Sequence, residues 1–446
     1  MVHDFTRPGH LEKFQCDFHV LEFSDEGLLK TAAPSSPLKD VEDRIRALRQ
    51  SSSHGVVVVV FIHGWHHSAD LEDDHLKKFR RVVEAITIRE WEAVDHPLRP
   101  VVGVYIGWNG DPIGQWSAIK RIWGIKHLSF YGRYRVAESI GKSPAFQQTI
   151  VRIISAAKAP LDDGQGNRTV ESALVLTGHS MGSLILQSAF AKLLHSRFEE
   201  LRFKAVDSER VQPPHVRTFH NGTRIFFPDL LLCVNSAADS EIATRIIGRL
   251  RQLKISRSVE SPPYSAPYVK YDAPLFVSIT STEDRDTRRT WRAAQVLALG
   301  LKGFSRRTDG HNPTLFTHTM TLRNEPARCS KREGVPDFEQ AWHCLHLPVP
   351  SGASRHAFPI DLPKGAREQT RDLEHERWLL APKQHARDAR EIAEVAWIFQ
   401  VPASISKNHN DVFETRTNAL FMTMLQIAGA VVGLAHDFSS NFESPN

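Results

Sequence analysis

Seven consecutive apolar residues, VVVVVFI from Val56 to Ile62, constrain the fold of this chain more than any other feature. A strand with one face in water alternates apolar and polar residues. A continuous β-branched run instead reads as a strand covered on both faces, as in a parallel sheet between two layers. Glycines Gly55 and Gly64 flank it. Five more runs read the same way: VVGVYIGW (101–108), ALVLTG (173–178), DLLLCVN (229–235), PLFVSIT (274–280) and EVAWIFQV (394–401). Helical spacing fills most of the intervals. Leu38, Val41, Ile45 and Leu48 precede the first run, with Ser36 as N-cap and Pro37 at the first helical position. Leu184, Ile185, Ala189, Leu193 and Leu194 form one stripe after the third. Strands alternating with helices predict βαβ units, hence an α/β fold with a mostly parallel central sheet and helices on both faces.

The 446 residues fit one α/β domain over 1–446 that carries two long insertions. Residues 110–149 are expected to form an insertion or lid-like segment, and 288–390 a long insertion before the last strand. With 56 Lys and Arg against 51 Asp and Glu, the net charge of +5 is too small a bias to predict nucleic-acid binding. Cys16, Cys233, Cys329 and Cys344 include no close pair, and the N-terminal MVHDFTRPGHLEKFQ has no apolar signal core. Reduced thiols and a cytoplasmic location are therefore expected. The charge-free run 419–435 contains Thr, Gln and Gly, and is expected to be a buried terminal helix rather than a membrane span.

Chemistry is concentrated in LVLTGHSMGSLIL, where Gly178, Ser180 and Gly182 form G-x-S-x-G between an apolar strand and a helical pattern. A serine on such a sharp turn is held in a strained conformation above the sheet edge, and side chains two residues away would collide there. Glycine at 178 and 182 removes both collisions. The helix that follows points its positive end at the site, where negative charge would develop. His179, adjacent in sequence, should point away from the hydroxyl.

On this motif and its setting the chain resembles serine hydrolases of the α/β-hydrolase fold, of the esterase and lipase kind. The resemblance covers the succession of strands from Val56 onward, apart from the two insertions. It implies the order Ser, acid, His along the chain, with the acid after a later strand and the base beyond the last one. His409 in SISKNHNDVFET follows the last run and is the expected base. Asp284, at the end of PLFVSITSTEDRD, is the expected acid; Asp286 and Asp239 are the alternatives. The resemblance also implies an oxyanion hole of two backbone N–H groups, those of Trp65 after His63-Gly64 and of Met181 after the nucleophile. Gly64 would let the backbone approach the substrate oxygen. The expected activity is hydrolysis of carboxylic esters through an acyl-enzyme, without a cofactor. The same constellation serves thioester and amide cleavage.

Two other classes compete. His63, His66 and His67 crowd FIHGWHHSADLEDDH and could belong to a metal-dependent hydrolase, although their spacing matches neither H-x-H-x-D-H nor H-E-x-x-H. A catalytically inactive binding protein on the same fold is the third reading. Glu72, Asp73 and Asp74 suit the positive end of the next helix, whose apolar residues are Leu76, Phe79, Val82, Val83 and Ile86. Trp65, Trp108, Trp116 and Trp123 lie in segments near the expected ligand-binding edge and suggest a small-molecule or lipid-like ester substrate, with core packing the alternative. The basic amphipathic stretch 240–257 allows a peripheral membrane contact, or simply covers the sheet.

Overall fold

The computed structural model describes residues 16–31, 36–92, 99–110, 123–159, 172–196, 227–253, 270–287, 307–328 and 395–431, with the short stretches 161–162, 167–168, 202–204, 217–218, 223–225, 257–260, 358–363, 374–383 and residue 392. Seven strands form the central sheet: β1 (Cys16–Phe23), β2 (Val57–Ile62), β3 (Val101–Trp108), β4 (Ala173–His179), β5 (Leu230–Val234), β6 (Phe276–Ser281) and a final strand Ala396–Val401. Every neighbouring pair is parallel, in the order β1-β3-β2-β4-β5-β6 and then the final strand. The fold is thus α/β with a parallel central sheet, as the runs predict.

Alternation persists inside the continuous run, now as a choice between two buried faces. Val56, Val58, Val60 and Ile62 join one core cluster, while Val57, Val59 and Phe61 join the other. On the first face lie α1 (Pro37–Ser51), α3 (Trp123–Lys142), α4 (Pro144–Lys158), α5 (Met181–Ser196) and α6 (Ser240–Gln252); on the second lie α2 (Asp74–Glu92) and α7 (Thr415–Ile427). Ser36 holds the N-cap position of α1 before Pro37, but its hydroxyl makes no cap bond. Strand β1 was not expected. As an edge strand whose one strand neighbour among the described residues is β3, it carries Asp17, His19 and Glu22 and has no continuous apolar run, although Leu21 and Phe23 are fully buried.

The described part of the 110–149 segment is helix within the first-face layer, α3 against α5 and α4 against α1. Residues 111–122 lie outside the described residues. Within 288–390, strands β7 (His318–Arg328), β8 (Phe358–Pro363) and β9 (Glu374–Pro382) form a separate antiparallel sheet. The final strand of the central sheet is β10. Ile360, Leu362, Trp378 and Leu380 fix the small sheet to the second-face core. Of the apolar run 419–435, residues 419–427 lie in the buried α7, 428–431 follow it as a turn, and 432–435 lie outside the described residues; no described helix is long and apolar enough to cross a membrane. Ile242, Ile246, Ile247 and Leu250, which make 240–257 amphipathic, are likewise buried in the first-face core.

Sheet order positions the site. From β2 the chain crosses through α2 on one face to β3, whereas from β4 it crosses through α5 on the other face to β5. The connections leaving adjacent β2 and β4 therefore diverge, opening a crevice at their carboxyl ends, where open α/β sheets bind ligands.

Candidate active site

Ser180 stands at that crevice, between β4 and α5. Its φ of +55° lies in the left-handed region, which is costly for a residue with a side chain and persists only where the surroundings hold it. They do so here. Ser180 N–H donates to Val234 O at 3.0 Å, while its carbonyl accepts from Ser183 N at 3.0 Å and Ala237 N at 3.1 Å. Ser183 Oγ–H donates back to Gly178 O at 2.6 Å. Gly182 packs on β2 so closely that a Cβ would fall 2.1 Å from Ile62 O, a backbone atom that cannot yield. Gly178 is equally enclosed, by the first turn of α5.

Two loops from the second half of the chain complete the arrangement. Ser180 Oγ–H donates to His409 Nε2 at 2.6 Å, and His409 Nδ1–H donates to Asp284 Oδ2 at 3.0 Å. The serine and the acid are fully or almost fully buried, and His409 is 9% exposed. Asp284 Oδ1 accepts from Thr287 N–H at 3.0 Å, and Oδ2 also accepts from Thr287 Oγ1 at 2.5 Å. Burial pushes the Asp284 carboxyl up, but the charge of His409 and the hydrogen bonds from His409 and Thr287 outweigh it and hold the group below its ordinary value. The carboxylate is thus kept ionised, which fixes the proton on His409 Nδ1 and makes Nε2 the acceptor of the Ser180 hydroxyl.

Of the alternative acids, Asp286 is only half-buried and bonds to no histidine among the described residues, and Asp239 caps α6 by accepting from Glu241 N–H at 2.9 Å. Neither reaches His409.

His179 turns away from the hydroxyl, as expected, but has a task of its own. Its Nε2–H donates to His409 O at 2.8 Å, and Asn235 Nδ2–H donates to the same carbonyl at 2.9 Å. Asn235, with φ +46°, also accepts from Ser281 N–H at 2.9 Å, so one side chain ties the ends of β5 and β6 to the loop carrying His409. Burial first, and then the charge of His409, lower the His179 imidazole to about 3, so that it is neutral.

The histidines of the loop after β2 each meet a different neighbour. His63 accepts from Trp108 N–H at Nε2 (2.9 Å), which puts its proton on Nδ1, and Nδ1–H donates to Gly64 O at 2.7 Å. Burial lowers this ring to about 4. A trans peptide points its C=O and N–H in opposite directions. Holding the Gly64 carbonyl therefore also holds the Trp65 N–H. Gly64 abuts Ser180: a Cβ there would fall 2.9 Å from Ser180 Cβ and 2.9 Å from His179 Nδ1. The N–H groups of Trp65 and Met181 meet no acceptor among the described residues, so both are available to a ligand oxygen.

His66 is exposed and stacks on Trp65 at 3.7 Å between centroids, whereas His67 turns to Asp73 at 3.2 Å. His63, His66 and His67 thus diverge, with both nitrogens of His63 already used. No group of three His, Cys, Asp or Glu among the described residues is arranged to hold a metal ion. Asp73 accepts from Ser68 and His75 N–H groups at the start of α2, the helix-start role expected of that acidic run. Trp65 packs on Phe130, and Trp108 is buried, stacked on His63 within the core rather than on a pocket wall. Trp116 and the side chain of Trp123 lie outside the described residues.

No family model, curated protein or solved structure matches this chain.

Sequence reading did not single out Asn235, Thr287 or a structural use for His179. Asn235 alone carried a usable signal, since Asn directly after an apolar strand is a residue that tolerates the left-handed conformation.

Proposed function

We propose that this protein is a serine hydrolase of carboxylic esters belonging to the α/β-hydrolase type. The observation that carries this reading is the unbroken line Ser180 Oγ, His409 Nε2, His409 Nδ1, Asp284 Oδ2, at 2.6 and 3.0 Å. His409 takes the proton as Ser180 Oγ attacks the ester carbonyl, and Asp284 keeps the imidazole in the required tautomer and stabilises its charge. The N–H groups of Trp65 and Met181 receive the oxyanion, with the positive end of α5 behind them. His409 then passes its proton to the leaving alcohol. Water, activated by the same imidazole, hydrolyses the acyl-enzyme. Trp65 and Phe130 beside the oxyanion loop favour an apolar acyl group.

The reading is tested by labelling with a fluorophosphonate, which requires an activated serine. The wild-type protein is expected to label, and Ser180→Ala and His409→Ala are not; equal labelling of all three contradicts the assignment. Asp284→Asn should slow ester turnover by about three to four orders of magnitude, with Asp286→Asn near wild type. The reverse pattern would move the acid to Asp286.

A further inference from the structure

The carboxylate oxygen of Asp284 that faces His409 is shared with a second line of hydrogen bonds. Thr287 Oγ1 lies 2.5 Å from Asp284 Oδ2, His311 Nε2 lies 3.1 Å from Thr287 Oγ1, and Gln400 Nε2 lies 3.2 Å from His311 Nδ1. Only one direction satisfies every group. An ionised carboxylate only accepts, so the single hydroxyl proton of Thr287 goes to Asp284. Thr287 then has only lone pairs for His311, whose Nε2 must carry the proton. Its Nδ1 is left to accept from Gln400, whose amide also donates to Gly310 O at 3.0 Å.

We propose that Thr287 and His311 are positioning residues of the triad acid: a directed chain from His311 Nε2–H through Thr287 Oγ1–H locks Asp284 Oδ2 onto His409. The inference rests on the serine-hydrolase reading and goes beyond the triad itself. Its geometry depends on a turn, Asp309–His311, delivered by the long insertion. Gly310 seats that turn on β6, where a Cβ would fall 1.7 Å from Thr280 Oγ1. Asp309 anchors it from below, accepting from Gln187 Nε2 and Ser278 Oγ at 2.9 Å each, while its own N–H donates to Ala238 O at 3.2 Å. The insertion thereby contributes a polar contact to the site at two removes from the base.

Chemically, Thr287 draws charge density from the oxygen that His409 binds. Without its hydroxyl the carboxylate can swing off Nδ1, and when it does stay in place it holds the protonated imidazole more tightly. The rate of fluorophosphonate labelling against pH reads both effects and needs no knowledge of the natural substrate. Thr287→Val and Thr287→Ala are expected to label about tenfold more slowly than wild type, with the acidic limb of the profile displaced upward by about half a pH unit. Thr287→Ser, which keeps the hydroxyl, should restore the wild-type rate and limb. His311→Phe should slow labelling about threefold, and His311→Gln, which keeps a donor at the Nε2 position, should recover it.

Thr287→Val labelling at the wild-type rate with an unmoved limb would overturn the proposal. So would equal slowing in Thr287→Val and Thr287→Ser, or a His311→Phe profile identical to wild type. A wild-type protein that does not label at all would instead defeat the serine-hydrolase reading, which separates the two failures.

Discussion

Individual residues in this site often act through what they lack. Gly64 and Gly182 offer no side chain where Ser180, the His63–Trp65 loop and β2 converge, but they fail differently when changed. A methyl group at Gly64 meets His179 Nδ1 and Ser180 Cβ, whereas at Gly182 it meets the carbonyl oxygens of Ile62 and His63. Gly64→Ala is therefore expected to fold and lose about 100-fold in ester turnover, the cost of displacing one oxyanion donor. Gly182→Ala should lower unfolding stability by about 2 kcal/mol as α5 is pushed off β2. Turnover and urea unfolding on both variants check this; comparable stability loss in both would contradict it. Ser180, His409 and Asp284 were legible because each follows a readable strand. Asn235 and His311 were not, since their contacts span 174 and 24 residues of sequence and depend on three-dimensional closure that no local pattern encodes.

Among elements, α2 and the loop before it form one side of the site as a wall of imidazoles. His67, His75 and His179 follow one another, His67 to His75 at 3.3 Å and His75 to His179 at 5.3 Å between centroids, and His179 touches His409 at 5.0 Å. Burial, followed by the charges of its histidine neighbours, pushes His75 far below the ordinary histidine range. Such a ring stays neutral in the folded protein while the unfolded chain binds a proton as pH falls below about 6.5. Folding stability is therefore complete above that pH and falls as the medium is acidified. His75→Phe removes one such group, so the loss of stability between pH 7 and pH 5 should shrink by about 2 kcal/mol relative to wild type. Urea unfolding at the two pH values measures it, and an unchanged loss would contradict a His75 ring kept neutral by burial. The crowding of histidines after β2 was visible in sequence, but its use was not. Spacing alone cannot tell a ring that faces a metal from one that faces another ring.

For the whole molecule, the decisive property is the divergence of the connections leaving β2 and β4, which puts the His63–Trp65 loop and Ser180 from different crossovers into one crevice. The parallel sheet was legible from its uninterrupted runs, since only two-sided burial explains them. Strand β1 escaped because an edge strand retains polar residues. The small sheet β7–β9 escaped because it packs on the second face as a separate layer with no run of its own. Both long-range loops that complete the site converge on Ser180, so the central claim is that this one hydroxyl becomes acylated. The most direct measurement is rapid mixing with a p-nitrophenyl ester, followed by quenching and peptide mass analysis. A burst approaching one equivalent of p-nitrophenolate per chain, with the acyl mass on the Ser180 peptide, is the predicted result. Steady release with no burst and an unmodified Ser180 peptide, or the acyl group on another residue, would contradict it.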